Sequence, residues 1–563
     1  MQEHEADLEG PSPTRLDRRQ FVQLTGGVSA AIGLALLPGD MARAAPRGGY
    51  PFTLGVASGD PAPDGFVLWT RLAPNPLEYQ TGMPNAAVGV DWQVATDEAM
   101  TRVVRSGTAL APPELAHSVH VEVAGLEPRR EYFYRFRAGG EHSPVGRTMT
   151  TPAPGQHVDQ LRFAFASCQK WDDGYYSAYR RMAEEDLDVV IHLGDYIYEY
   201  GIGTTGGFRN TPVPDRFAPE TKTLGRYRLQ HALYRSDSDL QEAHRLFPWV
   251  VTWDDHEVEN DYAGTEAEGP PYGSGFLQRR AAAYQAYYEH LPLRQASMPS
   301  GVGTLLYRSV QYGDLAEFSV LDTRQYRSAP PCGRGEQPRC PAALDPATTM
   351  TGPAQERWLL DGLDASTTRW NVIAQQVMMG ELDHRIYYDG NEVFWQDAWD
   401  AYPAARARIL QHVASRRIQN PVVITGDWHS TFVNDLKIDF DDPDSATVAT
   451  EFVGTSISSN GDGIVYGPYY GPMVPDNPHI KFFDGDRRGY VRCRVTPELW
   501  ETDLRMVSTV SRSDAPVSTF ASFVVENGVP GAQLVAGPTS SLRATAPAAP
   551  GDRRAARQAR RQG

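Results

Sequence analysis

The chain has 563 residues, of which 41% are hydrophobic and 22% are charged, and this composition suits a globular protein of two or three domains. Its formal net charge of -17 disfavours non-specific binding to nucleic acid, so we expect no stable nucleic-acid partner. No apolar run is long enough to cross a membrane, and we therefore expect a soluble mature chain without a transmembrane segment.

The N-terminus has the pattern of an export signal. The pair Arg18-Arg19 precedes a Gly/Ala-rich apolar run over residues 25–37, and Ala42–Ala44 supplies a small-residue cleavage pattern. We therefore expect residues 1–45 to be a twin-arginine signal peptide and the twin-arginine translocase to be a partner during export. The mature chain would be secreted, periplasmic or cell-wall associated. This route carries folded proteins, which favours a metal that is loaded before export.

Residues 50–152 have the pattern of an all-β domain. Short strands with aromatic or alternating residues are predicted at Gly65–Arg71, Val88–Val94, Ser118–Val123 and Glu131–Ala138. Turns rich in Pro and Gly separate them, as in β-sandwiches of the fibronectin or immunoglobulin type. We expect this domain to be a scaffold, and a Pro-rich linker at residues 150–155 to separate it from a second domain over residues 158–530.

In the second domain, six apolar runs end in polar groups. The runs and the groups that follow them are Arg162–Ala166 before Cys168, Asp188–Leu193 before Asp195, Pro248–Trp253 before Asp254, Asp255, His256 and Glu257, Ala316–Leu321 before Asp322 and Arg324, Trp370–Ala374 before Gln375 and Gln376, and Pro421–Thr425 before Asp427 and His429. Ligands of open α/β sheets bind outside the carboxyl ends of the strands. The pattern therefore predicts a carboxylate-rich metal site with an arginine beside it.

Other segments complete the expected architecture. A helix over 174–185 would join the first two of these runs as parallel, adjacent strands. Further helices are predicted at 240–247, 278–290, 353–363 and 399–417, and further strands at 490–496, 499–506 and 518–526. Residues 537–563 are rich in Ala, Pro and Arg, and this composition predicts a disordered basic tail.

The residue types at the strand ends indicate which chemistry the site supports. The thiol of Cys168 and the phenol of Tyr198, three residues after Asp195, favour a trivalent, iron-like ion. The spare carboxylates favour a second ion such as Ca²⁺, Mg²⁺ or Zn²⁺. Two ions that share Asp195 would activate a water and hold a phosphoryl oxygen, while an Arg or His stabilises the developing charge. The residues alone therefore predict a phosphoester hydrolase.

The four cysteines fall into different classes. Cys332 and Cys340 flank a short polar loop, and in an exported protein a disulfide between them is the natural expectation. Cys493 lies in an alternating strand pattern and is expected to be a small buried hydrophobe. Cys168 could be structural, but its acidic neighbours favour a role as a metal ligand.

Several motifs resemble those of one known family. They are Phe165–Gln169 (FASCQ), His192–Tyr200 (HLGDYIYEY), Trp253–Asn260 (WDDHEVEN), Leu321–Arg327 (LDTRQYR) and Gly426–Ser430 (GDWHS), together with Gly55–Pro61 (GVASGDP) and Leu68–Arg71 (LWTR). In this order they resemble the PhoD family of alkaline phosphatases, over residues 50–507. That family is similar in turn to purple acid phosphatases and calcineurin-like metallophosphoesterases.

The resemblance implies an α/β metallophosphatase-type core, a β-sandwich flanked by helices, with an N-terminal all-β domain of the fibronectin or Ig type. It also implies an Fe³⁺ ion with one or two Ca²⁺ ions. By this analogy Asp195 bridges the metals, Cys168, Tyr198 and His429 complete the iron site, Asp255 and Asp427 bind the second metal, and His256 is the catalytic histidine. Arg324 would contact phosphate, with Arg327 as its competitor. Asp254, Asn260 and His479 would be extra ligands or would contact the ligands and support them.

Three functions are compatible with these patterns. The first is a secreted metal-dependent phosphoesterase that hydrolyses small phosphomonoesters and phosphodiesters with a metal-activated water and releases phosphate. The second is a phospholipase D-like phosphodiesterase acting on phospholipid head groups. The third is a β-sandwich binding module with a vestigial catalytic domain, which the presence of Asp195, Asp427 and His429 disfavours. A serine hydrolase is disfavoured because no Gly-x-Ser-x-Gly pattern marks a strand-to-helix turn.

Overall fold

The computed structural model describes residues 49–269, 274–462 and 466–538. The predicted signal peptide at 1–45 and the predicted tail from residue 539 onward lie outside the described residues. Within them, no helix combines the length and the apolar character that a membrane span requires.

Two large sheets dominate the chain. The ten-stranded sheet has the order Val529–Ala536, Val517–Glu526, Leu499–Val507, Arg488–Val495, Leu161–Ala166, Val189–Leu193, Pro248–Thr252, Val56–Ala62, Gly65–Arg71 and Ser118–Val123. The seven-stranded sheet has the order Arg308–Tyr312, Ala316–Val320, Trp370–Gln375, Pro421–Thr425, Thr447–Val453, Thr431–Lys437 and Ile480–Asp484. All six predicted runs before the polar groups are strands, three in each sheet.

The two sheets pack face to face through an apolar core. Phe163 and Ile191 of the first sheet and Phe318 and Val372 of the second belong to this one buried cluster. Such strands are buried on both faces, which explains their nearly continuous hydrophobic sequences. The outer faces are covered by helices, whose bounds are Ser177–Met182, Leu224–Arg235, Ser238–Leu246, Ser274–His290, Gly352–Ala365, Pro403–Arg416 and Gly467–Tyr470. The molecule is therefore a sheet-rich sandwich flanked by helices.

Several predicted helices are confirmed with shifted ends. The helix predicted at 174–185 spans only Ser177–Met182, and the flanking strands Leu161–Ala166 and Val189–Leu193 are parallel neighbours as expected. The helix predicted at 399–417 begins at Pro403, since proline favours the first turn, after a separate 3₁₀ turn at Trp399–Ala401. The helix Leu224–Arg235 is an element that the sequence patterns did not reveal.

The N-terminal region differs from the expected separate sandwich. A smaller sheet does form from Val88–Ala95, Val103–Ala111, Glu131–Ala138, Glu141–His142 and Gly146–Met149. However, Gly65–Arg71 and Ser118–Val123 belong to the ten-stranded sheet, because Val56–Ala62 pairs in parallel with Pro248–Thr252. A buried cluster that includes Val56, Phe66 and Val90 lies between this smaller sheet and the end of the ten-stranded sheet. The N-terminal region thus has its own core, but three of its strands belong to the ten-stranded sheet.

Candidate metal centre

Four of the predicted ligands follow strands directly and have an unusual backbone conformation. Cys168, Asp195, Asp427 and His429 all have positive φ angles, between 52° and 61°. Non-glycine residues rarely adopt this conformation, and where they do it often accompanies a functional site. Although they follow strands of two different sheets, these residues belong to adjoining groups of candidate ligands.

Glycines permit the close approach of these strand ends. A Cβ atom at Gly194, before Asp195, would lie 2.5 Å from the Cβ of Asp254. A Cβ atom at Gly426, before Asp427, would lie 2.7 Å from Ser167, beside Cys168. Both positions therefore require glycine, because any side chain would separate the strand ends that bring the ligands together.

The first cluster contains the residues expected around iron. Ligand atoms of Cys168, Asp195 and His429 lie within 4.8 Å of one another. The Tyr198 hydroxyl donates to Asp195 Oδ2 at 2.9 Å and lies 3.0 Å from His429 Nε2. Ser459 donates a hydrogen bond of 2.8 Å to the same phenol oxygen. Thiol, carboxylate, phenol and imidazole thus meet at one buried point.

The second cluster is acidic and adjoins the first through Asp195. Asp195, Asp255 and His256 form one group of candidate ligands, and Asp254, Asp255 and Asp427 form another. Asp255 Oδ2 accepts a hydrogen bond of 2.6 Å from the backbone N–H of Asp261. Asp195 therefore belongs to both clusters.

The donor atoms fit cations. Asp195 Oδ1 and Asp254 Oδ2 are buried and have no hydrogen-bond partner among the described residues. Burial raises the pKa of Asp195 well above its usual value, and the neighbouring charges of Asp255 and Asp254 add to this. Burial and the charge of Asp195 likewise raise the pKa of the Cys168 thiol and of the Tyr198 phenol. Unpaired buried oxygens of this kind are costly, and a hard cation would satisfy them.

His256 is held in place at the edge of this site. Its Nδ1 lies 2.8 Å from Glu199 Oε2, and its ring stacks on Tyr198 at 4.2 Å between centroids. Burial opposes its positive charge, but Asp255, Glu199 and Asp195 outweigh burial and raise the pKa of His256 well above its usual value. The imidazole is therefore poised to carry a proton near the acidic cluster.

Comparison with known proteins identifies the family of this chain. The family model described as PhoD-like phosphatase matches residues 163–504, and the model of its N-terminal domain matches residues 39–152. The chain belongs to the PhoD-like phosphatase family. It is 48% identical to alkaline phosphatase D of Bacillus subtilis (strain 168) over 532 residues, which cover 93% of this chain and 90% of that protein.

A solved structure titled "Structure of PhoD" superposes on the chain with a TM-score of 0.84. The two are 47% identical, and the superposition covers 91% of this chain and 98% of the other. The expected resemblance is thus confirmed at the level of sequence and fold. As a member of this family the chain is an enzyme, a phosphoric ester hydrolase.

Arg324 of this PhoD-like phosphatase lies deeper than a substrate contact would require. Its side chain is fully buried and makes ion pairs with Asp397 at 2.7 Å, with Asp255 at 3.3 Å and with Asp254. Arg327 binds the same Asp397 at 2.8 Å. Both arginines are therefore engaged by carboxylates, and the geometry favours a role in organising the ligands over direct contact with phosphate.

Glu257 was predicted to follow a strand, but its sequence context indicated no role for it. Its carboxylate accepts hydrogen bonds from the backbone N–H groups of Tyr196 at 2.6 Å, Asp254 at 2.9 Å and Asp195 at 3.2 Å. It therefore fixes the ends of two neighbouring strands together. Such a carboxylate could have been suspected from the motif WDDHE, but its partners are visible only in the fold.

Other residues around the site were missed entirely or left unassigned. Asp397 and Asp261 form a further acidic group with Asp255. Asn460 Oδ1 contacts His429 Nδ1, and so fixes the orientation of that imidazole. No motif named in the sequence analysis includes Asn460 or Asp397.

Asn260 and His479, two of the predicted extra ligands or supporting groups, differ in their surroundings. Asn260 lines the cleft beside Asp255 and His256, and its N–H donates to Glu199. His479 does not join the candidate ligand groups. Its Nε2 lies 2.7 Å from the carbonyl oxygen of Glu381, and its ring packs against Phe440. Its role as an extra ligand or a supporting group stays a prediction.

The remaining cysteines are placed as expected. Cys332 and Cys340 form a disulfide, and Cys493 is buried in the core between the large sheets. The loop that the disulfide closes also reaches the site, because Arg334 donates to the carbonyl oxygens of Asp261 and Ala267. The disulfide loop thus holds the segment that carries Asp261.

Proposed function

We propose that the chain is an exported, metal-dependent phosphoesterase that hydrolyses phosphomonoesters and phosphodiesters and releases phosphate. The observation that carries this proposal is the meeting of two clusters at Asp195, one with a thiol and a phenol and one with carboxylates. In this proposal the twin-arginine signal at 1–45 directs export, residues 50–152 form the supporting β-domain, and residues 158–530 form the catalytic domain.

The ligand types divide naturally between two kinds of ion. Cys168, Tyr198 and His429 with Asp195 would hold Fe³⁺, since thiolate and phenolate suit a trivalent transition metal. Asp255 and Asp427 with Asp195, supported by Asp254, would hold one or two Ca²⁺ ions, which prefer oxygen ligands. When bound, the ions supply an acidified water and positive charge for the phosphoryl oxygens.

The residues of the chain perform the remaining tasks. Protonated His256, oriented by Glu199, would donate a proton to the leaving oxygen of the ester. Arg324 would hold Asp254, Asp255 and Asp397 in the geometry that the ions need, and this modifies the sequence-based assignment of Arg324 as a phosphate contact.

A phospholipase D-like activity on phospholipid head groups is the second candidate. The observation in its favour is the aromatic lining of the cleft by Trp395, Trp428, Tyr466 and Tyr470. Aromatic faces of this kind can hold the organic part of an ester, including a choline group. Initial rates on a small monoester, a small diester and phosphatidylcholine vesicles, measured side by side, separate the two candidates.

The central test compares three variants of the full chain. Asp195→Asn is expected to lose metal and activity together, because it removes the charge that both clusters share. His256→Ala is expected to keep most of its metal while kcat falls about 100-fold, the usual scale of a general acid. Asp444→Asn, on an exposed turn, is the matched control. Full activity in Asp195→Asn would overturn the proposal. Zinc alone in the parent protein, by elemental analysis, would overturn the assignment of iron and calcium.

A further inference from the structure

A second cavity, separate from the metal centre, lies between the N-terminal region and the helix Leu224–Arg235. Its volume is about 420 Å³. The segment Glu78–Asn85 forms one wall, and Arg71, His117 and Arg228 line the others. This size is in the range of small-ligand sites in proteins.

The cavity contains a buried cation without a carboxylate partner. Arg71 is only 3% exposed, and its Nε donates to the carbonyl oxygen of Ala116 at 2.9 Å. Its Nη1 lies 2.7 Å from His290 Nε2. His290 Nδ1 contacts the carbonyl oxygen of Ala286, so Nε2 is the acceptor of a neutral imidazole. Among the described residues no carboxylate forms an ion pair with Arg71.

The other charges at this cavity cancel in pairs. Arg228 binds both carboxylate oxygens of Glu289, at 2.6 and 2.7 Å. Glu78 pairs with Arg216. Burial lowers the pKa of Arg71 to about 10, with Arg228 adding to the effect and Glu289 opposing it, so Arg71 still carries its charge at neutral pH. One positive charge is therefore left over, and a buried unpaired charge is costly.

We propose that this cavity is a second ligand site, which binds a phosphate anion through Arg71 and Arg228. Planar guanidinium groups match the oxygens of phosphate, and Thr81, Asn85 and Tyr79 supply neutral polar groups around it. Free phosphate is the product of this enzyme, and the same charged group also occurs in its ester substrates. The site has no residue in common with the metal centre.

The helix Leu224–Arg235 connects this cavity to the metal centre. Gly225, Arg228 and Leu229 face the cavity. From the same helix, Gln230 donates to the carbonyl oxygen of Tyr198 at 2.6 Å, and Tyr234 accepts from the N–H of Tyr198 at 3.1 Å. A ligand bound between Arg71 and Arg228 therefore acts on the helix that holds the Tyr198 loop, and phosphate there would alter kcat.

Calorimetric titration of the metal-loaded full chain with inorganic phosphate, at constant ionic strength, tests the proposal. We expect two binding sites in the parent protein and one in Arg71→Gln. Asn85→Asp adds a negative charge at the exposed rim of the cavity and should weaken the second site about three- to tenfold. It covers the case in which Arg71→Gln does not fold. Asn391→Asp, an equally exposed asparagine away from the cavity, is the matched control.

A kinetic readout separates this site from product binding at the metal centre. Phosphate at the metal centre competes with substrate and raises the apparent KM alone, whereas phosphate in the second cavity also changes kcat. The kcat effect should weaken in Asn85→Asp and persist in Asn391→Asp. Titration with phenylphosphonate, a non-hydrolysable analogue of a phosphomonoester, shows whether free phosphate or an ester-like group binds more tightly. A single phosphate site in the parent, or equal binding in Asn85→Asp and Asn391→Asp, would overturn the proposal.

Discussion

Replacing Arg324 by glutamine distinguishes an organiser of ligands from a phosphate contact. The change keeps a long polar side chain but removes the charge that three buried carboxylates share. Burial works against ionisation of Asp255, yet Arg324 and then His256 outweigh it and hold the pKa of Asp255 at about 2. Without Arg324, the acidic cluster should take up protons at pH 7 and bind cations in a disturbed geometry.

The magnitude follows from the burial of the pair. Removing one partner of a buried ion pair costs about 3–5 kcal/mol, because the remaining charge has no compensation. An exposed ion pair contributes only about 0–1 kcal/mol. Arg102, which pairs with Asp97 and is 72% exposed, therefore supplies the control Arg102→Gln.

Urea unfolding of the metal-loaded proteins, with metal analysis and steady-state kinetics, measures the outcome. Arg324→Gln is expected to lose about 3–5 kcal/mol of unfolding free energy. Metal content and kcat should fall with it, and Arg102→Gln should behave like the parent. The reasoning is refuted if Arg324→Gln keeps its stability and its metal and shows only a raised KM, which is the behaviour of a direct phosphate contact.

Three further outcomes test other contacts. Glu257→Gln should destabilise the chain by about 1–3 kcal/mol in urea and release metal, since it weakens three backbone hydrogen bonds; unchanged metal content would contradict this. Burial lowers the pKa of His192 to about 3, so the free energy of unfolding should fall by about 4 kcal/mol as pH drops from about 6.5 to about 3. His192→Phe should remove that part of the acid unfolding. The control His142→Phe, at an exposed side chain, should leave it unchanged. Arg334→Gln should lower metal content without global unfolding, because it releases the segment of Asp261. Equal metal content in variant and parent would argue against that link.

The strand ends are predictable because their physical signal is local. Buried strands require uninterrupted apolar residues, and the first polar residue after such a run marks the edge of a sheet. This is why Cys168, Asp195, Asp255, Asp427 and His429 can be grouped from their positions in the sequence alone. The pattern does not say which sheet a strand joins, and only the fold divides the six strands between two sheets.

The structural features that the sequence did not predict depend on contacts between segments that are distant in the chain. Val56–Ala62 contains Gly, Asp and Pro, which are unfavourable in strands, so its sequence VASGDPA did not predict a strand. Its pairing with Pro248–Thr252 nevertheless makes the N-terminal region continuous with the central sheet. Asp397 similarly lies in no motif and acquires its role only because Arg324 and Arg327 pack against it. His479 was chosen for its residue type alone, and its contacts are with the carbonyl oxygen of Glu381 and the ring of Phe440.

The backbone at the metal centre shows why this fold keeps its ligands ready. Cys168, Asp195, Asp427 and His429 each occupy the left-handed region, at a cost of about 1–2 kcal/mol per residue. The surrounding structure must therefore over-determine these conformations, and Glu257 does so for Asp195 by binding its N–H and that of Asp254. In exchange, each ligand reaches the centre from the first residues after its strand, without a flexible loop. Cations would then bind to a site whose geometry is already set, and the unpaired oxygens Asp195 Oδ1 and Asp254 Oδ2 are the atoms that gain most from them.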